Sequence, residues 1–153
     1  MLALLVALQA VQVAILWLHD WLPLPPFIDA KAVQAADTRA RLVRVTLVQS
    51  VPYTVGLLGS IAALAGHPQG WLRAWLWVSY GLLFAGELRA WWVPYLLRPE
   101  PERAVRYRAM FGATHAFLPV RNGIVPNTLH CVLHSATVGT LLTLAFVSFH
   151  AGG

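Results

Sequence analysis

The chain has 153 residues, of which 58% are hydrophobic and only 11% are charged, and its mean hydropathy is +0.63. In soluble domains about a quarter of the residues are charged, so this composition excludes a disordered chain and disfavours a soluble globule. Lipid is the expected solvent. The net charge is +5, and the single cysteine, Cys131, excludes an internal disulfide. A chain of this length predicts one domain.

Four apolar segments are each long enough to cross a hydrocarbon core of about 30 Å, the first only just. They lie at residues 2–18, 42–66, 71–97 and 127–149. In lipid each must be helical, because a helix satisfies its own backbone hydrogen bonds. The first segment lacks the basic start and the cleavage motif of a signal peptide. The sequence therefore predicts an all-α integral membrane protein, built as a four-transmembrane-helix bundle.

The connections between these segments also carry helix signals. Residues 29–42 place good helix formers after an aspartate, which predicts a helix that extends the second span into the cytoplasm. Residues 102–117 mix arginines with aromatic and aliphatic residues, a pattern typical of a short cytoplasmic interfacial helix. Pro52 lies inside the second span and is expected to kink it.

The basic residues predict the orientation. Ten of the eleven Lys and Arg residues lie in or beside the connections 19–41 and 98–125, and the 66–70 connection has none. The positive-inside rule places the two basic connections in the cytoplasm, and both termini outside. The predicted location is the bacterial inner membrane, as a multi-pass protein. A second interpretation of the same basic surface is a site for phosphate head groups or for an anionic substrate.

Glu87 stands out inside the third span. An ionised carboxylate near the bilayer centre costs several kcal/mol when it is unpaired, so it must be paired, protonated or in contact with water. His130 and His134 of the fourth span lie in the same inner half of the bilayer and are the expected partners. Glu87 is predicted either to pair structurally within the bundle or to act as a catalytic acid/base, proton carrier or metal ligand. The outer halves of the spans are expected to be mostly apolar.

His130 and His134 are four residues apart, on one helix face. Two histidines at this spacing can share a divalent metal such as Zn or Fe. The candidate third ligands are His115, His19, Asp20 and Glu87. They can also be hydrogen-bonded core histidines, or contribute acid/base chemistry without a metal. The sequence leaves these three alternatives open.

Further residues are predicted to contact a substrate. Arg106, Arg108 and Arg121 would hold its polar head from the cytoplasmic side. Asn127, Tyr53 and Trp91 would line the site within the inner half of the spans. Trp91 also fits an aromatic belt at the membrane interface, together with most of the seven tryptophans.

The sequence favours a membrane enzyme whose catalytic residues are Glu87, His130 and His134. Its substrate would be an amphiphile such as a lipid, an isoprenoid or a quinone, and its chemistry acid/base or metal-assisted. Two alternatives are a proton or metal transporter component and a small subunit of a larger membrane complex. The expected partners are membrane lipids, a second copy of the chain or a larger complex, and no nucleic acid.

Overall fold

A computed structural model describes residues 1–67 and 70–150, without the side chain of His150. Residues 68–69 and 151–153, which belong to the predicted outer connection and C-terminal end, lie outside the described residues. The protein is all-helical, with 73% helix and no strand in the described part. The helices are α1 (Leu2–Leu18), α2 (Ala30–Ala36), α3 (Arg39–Leu64), α4 (Leu72–Glu87), a π-helical turn (Leu88–Trp92), α5 (Val93–Leu96), α6 (Pro101–Phe111) and α7 (Thr128–His150).

Helices cover the four predicted apolar segments. α1 has the predicted bounds, and α3 and α7 begin and end close to theirs. The third segment is helical from residue 72 to residue 96, because α4, the π-helical turn and α5 follow one another without a break. α1 contacts α3 and α7, and α4 contacts the same two helices. α2 packs against α6.

The predicted helical extension over residues 29–42 is wrong. α2 ends at Ala36, and Asp37 takes an extended conformation with φ −141° and ψ 159°. The chain then starts a new helix, because the Thr38 hydroxyl accepts the Arg41 backbone N–H at 3.3 Å and caps α3. The Asp37 side chain bonds to arginines of α3 and α6. The predicted interfacial helix is shorter than expected: it ends at Phe111, and residues 112–127 are not helical.

α3 and α4 approach closely at two glycines. A Cβ atom at Gly56 would lie 2.9 Å from a methyl group of Leu76, and one at Gly59 would lie 2.7 Å from a methyl group of Leu72. Small residues allow such close contact between helices. α3 continues through Pro52 without ending.

Polar groups are buried and large apolar groups are exposed. Gln9, Gln12, Ser50 and Thr137 have no exposed surface, whereas Val48, Leu58 and Leu82 are more than half exposed. Two helices, α3 and residues Thr128–Phe149 of α7, are long and apolar enough to cross a membrane, and α1 is a shorter apolar helix. These two helices are weak evidence of membrane association on their own.

Candidate functional site

Two cavities meet in the half of the protein that contains α2 and α6. The charged cavity, of about 1150 Å³, is lined mainly by arginines, acidic residues and aromatic residues of α3, α6 and the segment 89–103. The apolar groove, of about 600 Å³, is lined mainly by aliphatic and aromatic residues of α3 and α4, with Glu87 and His134 among them. The residues that line both are His19, Gln49, Ala90, Trp91 and His130. His130 thus lies in the wall of both a polar space and an apolar space.

The π-helical turn places two consecutive tryptophans next to the histidines of α7. The Trp91 ring packs against the His130 ring, with centroids 4.2 Å apart. The Trp92 indole N–H donates to His134 Nδ1 at 3.1 Å. In a regular α-helix, successive side chains point about 100° apart, so they rarely contact the same neighbouring face. Single π-helical turns recur at functional sites.

His130 is held in one tautomer by the cap of its own helix. The side-chain oxygen of Asn127 accepts the backbone N–H of His130 at 3.0 Å, which fixes the orientation of the amide. The same oxygen lies 2.5 Å from His130 Nδ1, so Nδ1 must carry the hydrogen. In neutral His130, Nε2 is therefore the free acceptor. The rings of Phe111, His19 and His134 lie within 6.0 Å of its centroid.

His134 is held in the opposite tautomer. The Trp92 indole can only donate, so His134 Nδ1 must accept and neutral His134 carries its hydrogen on Nε2. The two ring centroids are 6.0 Å apart. The histidines therefore present one acceptor nitrogen and one donor nitrogen on successive turns of α7.

Glu87 does not pair with either histidine, which corrects the expectation from sequence. Its Oε1 lies 2.7 Å from the Thr137 hydroxyl, and Thr137 in turn lies 3.0 Å from Gln12 Oε1. The Gln12 amide then donates to Thr140 at 2.8 Å. This chain of side chains joins α4, α7 and α1. The second oxygen of Glu87 is buried and has no described partner.

The buried polar groups also extend further along the helices than expected. Gln9 and Thr140 have no exposed surface and Thr143 has 5%. These residues lie in or beyond the middle of α1 and α7, in the portion that we expected to be mostly apolar. That expectation is wrong. Helix-to-helix contacts bury these polar side chains inside the bundle.

His19 and Asp20 lie where the charged cavity meets the groove. His19 Nδ1 lies 2.9 Å from the Ile15 carbonyl and its Nε2 lies 3.2 Å from Asp20 Oδ1. Both neighbours are acceptors unless Asp20 is protonated. Burial raises the pKa of Asp20 and the charge of Asp37 adds to this, while His19 opposes it. The pair therefore holds an exchangeable proton beside His130.

Two carboxylates of the charged cavity each hold two arginines. Asp37 bonds to Arg41 at 3.1 Å and to Arg106. Glu100 bonds to Arg103 at 2.8 Å and to Arg89 at 2.6 Å. The hydrogen bonds from Arg103 and Arg89 lower the pKa of Glu100 and keep its carboxylate ionised. These two groups of three residues are called the Asp37 clamp and the Glu100 clamp below.

The structure brings together six of the predicted site residues. Glu87, His134 and Tyr53 line the groove, Arg106 lines the charged cavity, and His130 and Trp91 line both. Asn127 lines neither cavity but holds His130, which makes it a positioning residue. The predicted residues that line neither cavity are Arg108, Arg121 and His115.

His115, one of the predicted third metal ligands, lies apart from the histidine pair. His115 Nδ1 lies 2.7 Å from the Thr128 hydroxyl, and its ring packs against Phe27. In residues 1–67 and 70–150, no three His, Cys, Asp or Glu side chains are grouped so that they could hold a metal ion. Neutral His134 accepts from Trp92 at Nδ1 and carries its hydrogen on Nε2, so it offers a metal no free nitrogen, whereas Nε2 of His130 stays free. A metal site is therefore not part of the function proposed below.

His19 and Asp20 were predicted from the sequence as candidate metal ligands, whereas the two arginine clamps were not predicted. His19 and Asp20 follow the first apolar segment, and their proximity to His130 depends on the packing of α1 against α7. The two arginine clamps were missed because Asp37 and Arg106 are far apart in the sequence. An acidic residue between arginines, as at Glu100, is the one local signal that could have suggested them.

The chain matches no known family, no curated protein and no solved structure.

Proposed function

We propose that the chain is an integral membrane protein in which α1, α3, α7 and the helical stretch 72–96 each cross the bilayer. The exposed apolar side chains of these helices and the buried polar ones support this proposal, since lipid reverses the usual need for a polar surface. The stretch 72–96 contains enough residues to span about 30 Å at 1.5 Å per residue. α2, α6 and the arginines would then lie at the cytoplasmic face.

We further propose that the protein is a membrane enzyme that performs acid/base chemistry on an amphiphile. The single observation that carries this proposal is the junction of the charged cavity with the apolar groove at His130. An amphiphile with its head in the charged cavity and its chain in the groove passes His130 and Trp91. Such a concave, partly apolar space with a few converging polar groups is typical of a ligand site.

The two histidines have complementary roles in this proposal. Nε2 of His130 is the free acceptor and would take a proton from the substrate as general base. The Nε2–H of neutral His134 would donate a hydrogen bond to the atom on which negative charge develops, as neutral imidazoles do in other enzymes. The His19–Asp20 pair would exchange the proton that His130 takes with the charged cavity, which Asp20 also lines.

Filling the groove tests whether an amphiphile binds there. Gly86 lines the groove and Gly81 lies on the same helix outside it, and a Cβ at either position would meet no atom within 4 Å. Wild type, Gly86→Phe and Gly81→Phe would be purified in a mild nonionic detergent, and their bound lipids identified by mass spectrometry. We expect one amphiphile class on wild type and on Gly81→Phe, and its loss from Gly86→Phe. Equal occupancy of the two variants would refute the groove as the site.

The chemical role of His130 needs a separate measurement. Wild type and His130→Gln would be incubated with a lipid extract, and the products compared by mass and by chromatographic retention. We expect a converted lipid with wild type only, while His130→Gln still binds the unconverted amphiphile. Conversion at an equal rate by both proteins would exclude His130 as the base.

Proton movement along the bundle is a second candidate function. The hydrogen-bonded chain from Glu87 through Thr137 and Gln12 to Thr140 favours it. Proteoliposomes with a pH gradient test this alternative directly. A proton flux that Thr140→Val abolishes would support transport, and an unchanged gradient would exclude it.

A further inference from the structure

We propose that the head group held in the charged cavity is a phosphate ester, a monophosphate or diphosphate at the end of a long apolar chain. This inference rests on the proposed function, because it names the substrate class of the same site. It is carried by the arrangement of the arginines rather than by their number.

The two clamps present unused guanidinium donors to the cavity. Each guanidinium has five N–H groups, and the Asp37 and Glu100 carboxylates engage only part of those on their arginines. Holding an arginine by a carboxylate fixes the plane of its fork before a ligand arrives. Planar forks match the several oxygens of a phosphate and can bind two of them at once.

The clamps leave positive charge after the internal pairing. Four arginines share two carboxylates in the clamps, and Arg98 also lines the cavity with no described ion pair. Of the two other acidic residues that line the cavity, Asp20 lies against His19, and Glu102 forms no ion pair within the described part of the chain. Burial favours the neutral form of Asp20.

Other head groups fit this cavity less well. A neutral head, such as a quinone ring, would leave the guanidinium donors without acceptors while covering them from water. A cationic head would face five guanidinium groups. A carboxylate offers two oxygens, which one arginine can satisfy, whereas a phosphate offers oxygens to more than one of the five arginines that line the cavity.

The position of the groove sets where the ester bond lies. The groove and the cavity share His130 and Trp91. If the chain lies in the groove and the phosphate lies on the arginines of the cavity, the carbon and oxygen of the ester bond lie beside these two rings. The carbons next to the phosphate are therefore the substrate atoms closest to the proposed base.

Four probes of one chain length, together with inorganic phosphate, test the head group. The probes are dodecyl phosphate, dodecanoate, dodecanol, dodecyltrimethylammonium and inorganic phosphate, each titrated calorimetrically into the full-length protein at a constant concentration of nonionic detergent. We expect dodecyl phosphate to bind at least tenfold more tightly than any other probe, and less tightly as salt increases. Binding of dodecanol or dodecanoate as tight as that of dodecyl phosphate would overturn the inference.

Matched arginine variants locate the binding. Arg106→Gln removes a clamp arginine, and Arg108→Gln changes an exposed arginine of the same helix that lines neither cavity. Arg98→Gln is a second test variant that breaks no described ion pair and so leaves the fold intact. We expect about tenfold weaker binding of dodecyl phosphate for Arg106→Gln and Arg98→Gln, and no change for Arg108→Gln. Equal affinity of Arg98→Gln and Arg108→Gln would overturn the inference.

The same titrations separate failure of this inference from failure of the proposed function. If all four dodecyl compounds bind equally and Gly86→Phe abolishes that binding, the amphiphile site stands and the phosphate head is refuted. If no dodecyl compound binds, both proposals fail. If inorganic phosphate binds as tightly as dodecyl phosphate, the ligand is free phosphate and the chain in the groove is refuted.

Discussion

Thr137 places three acceptors around one hydroxyl group. Its oxygen lies 2.7 Å from Glu87 Oε1, 3.0 Å from Gln12 Oε1 and 3.1 Å from the Leu133 carbonyl. A hydroxyl has one hydrogen to donate. The Gln12 amide N–H groups already donate to Leu8 and Thr140, so Gln12 offers Thr137 only its oxygen. The arrangement is satisfied best when Glu87 carries a proton and donates it to Thr137.

This arrangement predicts opposite outcomes for two substitutions. Glu87→Gln supplies an amide N–H in place of the carboxyl hydrogen, so its thermal stability in detergent should stay near that of wild type. Thr137→Val leaves buried oxygens of Glu87 and Gln12 without a partner and should cost about 1–3 kcal/mol. Thr143→Val is the control, since among the described residues the Thr143 hydroxyl bonds to the Gly139 carbonyl of its own helix alone. A Thr137→Val protein as stable as Thr143→Val would contradict this account.

Asp20 predicts a pH dependence of stability. Its pKa is raised in the folded protein, chiefly by burial, so the stabilisation from its protonated form is present at low pH and is lost as pH rises through the folded pKa. Asp20→Asn supplies a neutral donor to His19 Nε2 and should raise stability at pH 8 by about 1 kcal/mol. Unfolding at pH 5 and pH 8 checks this, with Glu102→Gln as an exposed control. Lower stability of Asp20→Asn at pH 8 would count against it.

At this scale, the sequence singled out polar residues that the bundle buries, but it did not predict all of their partners. Glu87, His130 and His134 could be selected because polar groups are rare in apolar segments. Their partners, Thr137, Asn127 and Trp92, depend on helix rotation and packing. Asn127 is the exception, because a polar residue next to a helix start is a local capping signal.

The helices were predictable where an apolar segment is long and continuous. The two interruptions, at Asp37 and at the π-helical turn, were not predicted. The break at Asp37 combines the Thr38 cap of α3, which is a local signal, with an ion pair to Arg106 in a distant part of the chain. The π-helical turn at Leu88–Trp92 precedes Pro94, which has no N–H for the carbonyl four residues earlier. The contacts that the turn gives Trp91 and Trp92 depend on helix packing.

The close approach of α3 and α4 gives a prediction for these elements. Gly59→Leu would place its side chain against Leu72 and Trp71 and should destabilise the protein by about 1–3 kcal/mol. Gly81→Leu, on α4, meets no atom within 4 Å of its Cβ and should leave stability unchanged. Thermal unfolding of both variants in one detergent checks the difference. Equal stability would show that the two helices can separate at Gly59 without cost.

The proposed topology of the whole molecule is tested with reporter fusions. Alkaline phosphatase joined at Gly70 or at Gly153, the latter outside the described residues, should be active, because both sites are expected outside. A fusion at Pro99, in the basic connection before α6, should be inactive. An inactive fusion at Gly153 would reverse the orientation, and with it the face to which the charged cavity opens.

At the scale of the whole molecule, the all-helical fold and the segment bounds followed from hydropathy, whereas the two cavities did not. The cavities are lined by residues from distant parts of the chain, such as His19, Gln49, Trp91 and His130. Which of these side chains share a cavity depends on helix packing, which residue spacing does not report.

The groove is open on the flank of the protein. Val48, Val78 and Leu82 line the groove and are each more than 60% exposed, on the surface that would face lipid. A substrate could then enter by lateral diffusion within one leaflet, with its chain never leaving the hydrocarbon. Turnover would follow the mole fraction of the substrate among the membrane lipids rather than its aqueous concentration. Diluting it with an inert lipid at constant bulk concentration should slow the enzyme in proportion.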